Sequence, residues 1–104
     1  MPTFDENIVV KQSPSTAVPS FKADGLVIEN AGNIRYEAGL SIISNEVANG
    51  NIFFGSRVNP AMGQIKYSHY QNKMYFYTGG QYRAALSSSG LSLNGQLSCS
   101  DFSC

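Results

Sequence analysis

Charged side chains are scarce in this 104-residue sequence. Asp, Glu, Lys and Arg make up 13% of it, about half of the roughly 25% of an average globular domain. Seven basic and seven acidic residues cancel to a formal charge of zero and stand singly along the chain. That spread argues against a nucleic-acid-binding face and against a basic membrane patch. No apolar run approaches the 18 residues of a membrane-spanning helix. The opening MPTFDENIVVKQ lacks the basic region and apolar stretch of a secretory signal. Asp5, Glu6, Asp24, Glu29, Glu37, Glu46 and Asp101 are scattered, and a glycosidase needs two carboxyls flanking one bond. No phosphate-cradling glycine loop and no metal cluster stands out. The expectation is a non-enzyme with no catalytic residues, no metal and no cofactor.

Ser, Asn and Gly take the place of the missing charge. Such a composition suits surfaces that pack on copies of themselves, where charge is costly to bury. With 42% hydrophobic and 12% aromatic residues, pure disorder is not expected. The length allows one domain. No convincing helix pattern is present. Val9-Val10, Ile42-Ile43 and Tyr75-Phe76-Tyr77 read as β, and Gly, Asn, Ser or Pro interrupts every longer segment. The fold class expected is all-β, with short strands in hairpins and a meander.

The chain is organised around Asn51 to Gly90. Ile65, Tyr67 and His69 alternate with Gln64, Lys66, Ser68 and Tyr70, so they fall on opposite faces of a strand. After Gln71-Asn72 the alternation resumes with Met74, Phe76 and Thr78 against Lys73, Tyr75 and Tyr77. A loop centred on Gln71-Asn72 pairs His69 with Met74, Tyr67 with Phe76 and Ile65 with Thr78. Asn72 tolerates a positive φ there. At Gly79-Gly80, a three-residue loop reaching Gln81 puts Ala84 opposite Phe76 and Leu86 opposite Met74, which keeps the apolar set together. Ser87-Ser88-Ser89-Gly90 reads as a polar stop.

Upstream, strands are expected at Leu26–Glu29, Asn33–Glu37, Leu40–Ile43 and Asn51–Phe54, with a type I′ turn at Asn49-Gly50. Segments 32–42 and 63–74 share Gly-x-Ile-basic-Tyr, which is either a faint repeat or chance. Ser56–Met62 is a connector stiffened by Pro60, or else an exposed contact loop. Residues 1–24 form a separate zone: Phe4 and Ile8–Val10 suggest one strand, and Ser13–Ser20 a linker. That zone is either an arm reaching a neighbour or a flexible terminus. The division expected is 1–24, then a β-rich domain over 25–95, then a 96–104 tail carrying Cys99 and Cys104. Those cysteines suit a loop disulfide, bonds between subunits or free thiols, with free thiols the default in a reducing cytoplasm.

His69 lacks a nucleophile or orienting partner at useful spacing. Its expected role is to close the hairpin and bond backbone at the turn, although three copies around an axis also suit a metal. Tyr70, Tyr75, Tyr77 and Tyr82 share the side opposite Tyr67, Met74 and Phe76. They read either as a platform for a glycan or as the second packing face of an intersubunit sheet.

The run NIFFGS, then GQIKYSHYQNKMYFYTGG, then YRAALSSSGLSL resembles the repeat of bacteriophage tail-fibre and tailspike proteins. The matching positions are Phe54-Gly55; Gly63, Ile65, Tyr67 and His69; Met74, Phe76, Thr78 and Gly80; then Arg83 and Ser88-Ser89-Gly90. The resemblance implies an intertwined homotrimeric fibre or spike on a virion, assembled in the host cytoplasm and used for host attachment or as a stalk. It implies other virion proteins as partners of residues 1–24 and a host surface glycan as a receptor. A capsid decoration or head-fibre protein and a glycan-binding receptor module are the alternatives. In many relatives a self-cleaving chaperone segment follows; here the sequence stops at Cys104, so that segment is expected to be absent or removed. Small cores supply only a few kcal/mol and a lone meander is marginal. Threefold assembly would bury a face and remove free edges.

Overall fold

The computed structural model describes residues 8–13 and 18–98. Phe4, Cys99 and Cys104, and with them the cysteine alternatives, lie outside the described residues. The chain divides into two compact units, Met1–Ser41 and Ile42–Cys104. The regular structure of both is almost entirely β.

In the first unit β1 (Ile8–Ser13) pairs in parallel with β2 (Leu26–Asn30), with Val9 beside Val27 and Val10 beside Ile28. Parallel neighbours need a crossover. Part of it is a single 3₁₀ turn, Phe21–Ala23, whose Ser20 hydroxyl accepts from the Lys22 amide. Lys11 and Glu29 stand opposite each other, their charged groups 4.0 Å apart.

The strands expected at Asn33–Glu37 and Leu40–Ile43 do not form. Asn33 Oδ1 accepts from the Arg35 amide at 3.0 Å, and the Asn33 carbonyl accepts from the Tyr36 amide. Asn45 repeats the device on Val47 and Ala48. Asparagine side chains here offer the backbone a turn that competes with a ladder. Ile34 and Ile43 are left at the surface. Segments 32–42 and 63–74 therefore fold differently, despite their shared Gly-x-Ile-basic-Tyr.

The second unit is a five-stranded antiparallel meander in chain order: β3 (Asn49–Phe54), β4 (Gly63–Ser68), β5 (Lys73–Thr78), β6 (Gln81–Ser87) and β7 (Gly90–Leu93). Asn49-Gly50 is not a hairpin turn. It opens β3, opposite Ser68 and Tyr67.

The β4–β5 register differs from the expected one by two residues. Ile65 faces Phe76, Tyr67 faces Met74 and Ser68 faces Lys73, leaving a four-residue loop from His69 to Asn72. The buried Ser68 sets this length, because its hydroxyl accepts from the Gln71 amide at 3.2 Å. Asn72 takes a φ of 54°. A slip of two preserves each residue's face, so the apolar set survives. His69 accordingly leaves the ladder: its amide donates to the Ala48 carbonyl at 3.2 Å, and its ring meets Tyr67 edge-on.

At β5–β6 the register is the expected one, with Phe76 opposite Ala84 and Met74 opposite Leu86, but the extra residue lies elsewhere. Gly79 and Gly80 have φ values of 60° and 75°, which makes a two-residue primed turn closing on Thr78 and Gln81. The ladder then absorbs Arg83 as a bulge between the Tyr77–Tyr82 and Phe76–Ala84 pairs. Ser87–Gly90 is no stop either. It turns the chain into β7, with Ser87 beside Gly90 and Leu86 beside Leu91.

Candidate functional site

Because side chains alternate across a sheet, the pairings assign each paired meander residue to one of two faces. One face carries two ranks running across the strands: Ile52–Ile65–Phe76–Ala84–Leu93 and Gly50–Tyr67–Met74–Leu86–Leu91. No charged residue stands in either rank. The ranks are poorly covered. Ile52, Leu86, Leu91 and Leu93 are 42%, 50%, 60% and 38% exposed, and Ile65, Tyr67, Met74 and Phe76 are half-buried. Among the described residues the only buried hydrophobic is Ala85, on the other face.

That other face is polar and aromatic. Asn51, Lys66, Tyr75, Ala85 and Ser92 form one rank across it, with Phe53, Gln64, Tyr77 and Tyr82 in the next. The Tyr75 and Tyr82 rings meet edge-on, 5.7 Å between centroids and 77° between planes. Tyr77 lies 6.2 Å from Tyr82. The Lys66 ammonium sits 5.1 Å from the Tyr77 centroid, a cation–π contact. The Tyr75 hydroxyl donates to Gln71 Oε1. Of the four candidate tyrosines, three are thus brought together. Tyr70 is not: it stands on the β4–β5 loop, 78% exposed.

Between Tyr75, Tyr82 and the β6–β7 turn lies a groove of about 280 Å³. Lys73, Ser87, Ser89 and Ser92 line it. Ala85 is its floor, small enough to leave the space open. The Ser87 and Ser89 hydroxyls are 3.0 Å apart, and the Ser89 amide donates back to Ser87 Oγ. Sequence reasoning missed this groove because it ended the meander at the serines. The signal was present in Leu91-Ser92-Leu93, whose alternation continues the sheet beyond the turn.

The β3–β4 connection is a built loop. The Ser56 amide donates to the Asn59 carbonyl at 2.9 Å, Asn59 N–H donates to Ser56 Oγ at 3.1 Å, and the Ala61 amide donates to Asn59 Oδ1 at 3.0 Å. The Gly80 amide donates to the Met62 carbonyl, tying the connection to the β5–β6 turn. Its tip, Arg57-Val58, projects outward.

In comparisons with known proteins, no family model, no curated protein and no solved structure matches the chain.

Proposed function

We propose that this chain is a structural virion subunit, a short homotrimeric phage tail fibre or spike with a role in host attachment. The observation that carries the reading is the uncovered apolar face of the meander. Two uncharged ranks of large side chains stand half-buried or exposed, and burying them is worth about 25 cal/mol per Å² removed from water. A soluble chain gains that stabilisation by packing the face against copies of itself. The edges β3 and β7 also present unpaired backbone groups, which assembly around an axis satisfies. The resemblance of residues 51–93 to phage fibre repeats supplies the virion setting. In this reading residues 1–24 engage other virion proteins, the β-region points outward, and the chain performs no catalysis.

Sedimentation and multi-angle light scattering test the assembly. The expected mass is three times the 11.2 kDa of one chain. A folded monomer that persists at micromolar concentration overturns the reading. Immuno-gold labelling of intact particles tests the setting, with signal at the tail expected.

A further inference from the structure

We propose that the groove between Tyr75, Tyr82 and the β6–β7 turn binds a saccharide carrying a single carboxylate. Charge is the first argument. Residues 42–104 hold Arg57, Lys66, Lys73 and Arg83 against Glu46 and Asp101, a formal +2, which residues 1–41 balance with −2. Within the described part of this unit Glu46 is the only carboxylate, and it does not line the groove. Lys66 is engaged over Tyr77, and Arg83 donates to Thr78. Lys73 is half-buried at the groove wall and has no carboxylate or ring partner among the described residues. A lysine at the groove wall without a counter-charge favours an anion beside it.

The rest of the wall decides which anion. Ser87, Ser89 and Ser92 offer hydroxyls that both donate and accept, matching a ligand rich in hydroxyls. Tyr75 and Tyr82 supply apolar ring surface of the kind that sugar C–H groups pack on. One cation balances one carboxylate. A phosphate dianion or a nucleic-acid backbone would call for several more. The volume of about 280 Å³ lies at the small end of ligand sites, which suits one sugar unit with the remainder of its chain in solvent. The site is complete within one chain, so it does not depend on the trimer.

The test is an array of oligosaccharides ending in uronic or sialic acids, printed beside their methyl esters and beside short polyglutamate. The wild-type protein is expected to be retained on acid sugars, at least tenfold less on their esters, and not on polyglutamate. Lys73→Gln is expected to weaken binding at least tenfold, while Lys66→Gln leaves it within twofold. Retention on no acid sugar, equal retention on the esters or on polyglutamate, or equal loss in both lysine variants overturns the proposal. Light scattering on the same samples reports the assembly separately, so a failed trimer and a failed groove are distinguishable.

Discussion

Arg83 Nε donates to the Thr78 hydroxyl at 3.1 Å, across the one bulge in the meander. The bulge lets a two-glycine turn and an apolar register coexist. Thr78–Gln81 and Tyr77–Tyr82 follow the turn, and one residue must then be skipped before Ala84 meets Phe76. Deleting Arg83 leaves a regular ladder with the same pairs, so its thermal midpoint is expected to stay within a few degrees of wild type. Deleting Ala84 instead places Arg83 opposite Phe76, a guanidinium within the apolar rank. In the single chain that guanidinium reaches water, so the cost of about 1–3 kcal/mol is expected in the proposed assembly, where the face is covered. Circular dichroism melts of the two deletions measure the difference, and equal destabilisation would refute this account of the bulge.

Backbone geometry gives a second prediction, with its own control. A Cβ on Gly55 would lie 2.9 Å from Pro60 Cα, and Pro60 is held by the hydrogen bonds between Ser56, Asn59 and Ala61. Gly55→Ala is expected to cost about 1–3 kcal/mol through overpacking. Gly79→Ala and Gly80→Ala, at positive φ, are expected to cost about 1 kcal/mol each. Gly25→Ala meets nothing within 4 Å and needs no positive φ, so it is expected to be neutral or slightly stabilising. Urea midpoints with unchanged slopes rank the four variants.

Much of this was legible in the sequence, and the failures share a physical cause. Period-two alternation placed β4, β5 and β6 and assigned their faces, because a face is fixed by parity alone. Register was legible only where glycines constrained the turn, and there the apolar match of Ala84 to Phe76 was right. At Gln71-Asn72 the decisive group was the Ser68 hydroxyl on the Gln71 amide, a side-chain bond that no pattern of hydrophobicity reports. The lost strand around Ile34 failed for the same reason: Asn33 captures the Arg35 amide. The tyrosine cluster was visible, but not that Tyr70 stands apart from it or that Lys73 and the serines complete a groove beside it.

The three clustered tyrosines are expected to be energetically coupled, and Tyr70 is not. A double-mutant cycle with Tyr75→Ala and Tyr82→Ala should return a coupling of about 0.5–1.5 kcal/mol, the range of edge-to-face pairs. Tyr70→Ala should change stability by less than about 0.5 kcal/mol, as for other exposed positions. Additivity of Tyr75 and Tyr82 would mean that the ring contact contributes nothing beyond separate burial.

The proposal that copies assemble through the apolar face and not the polar one is tested by charge placed on each. Leu86, Leu91 and Leu93 lie in the apolar ranks and are exposed in the single chain. Leu86→Lys or Leu91→Lys therefore costs little within one subunit, where the ammonium reaches water. In the proposed trimer packed through this face the same lysine is desolvated, and three copies meet near an axis, which adds like-charge repulsion. The expected outcome is a shift from trimer to monomer in sedimentation, with the β-type circular dichroism retained. Ser92→Lys stands between Leu91 and Leu93 on β7 but projects from the opposite face, so the trimer is expected to persist. If Ser92→Lys dissociates the assembly and Leu91→Lys does not, the copies pack through the tyrosine face and the assignment of the two faces is reversed.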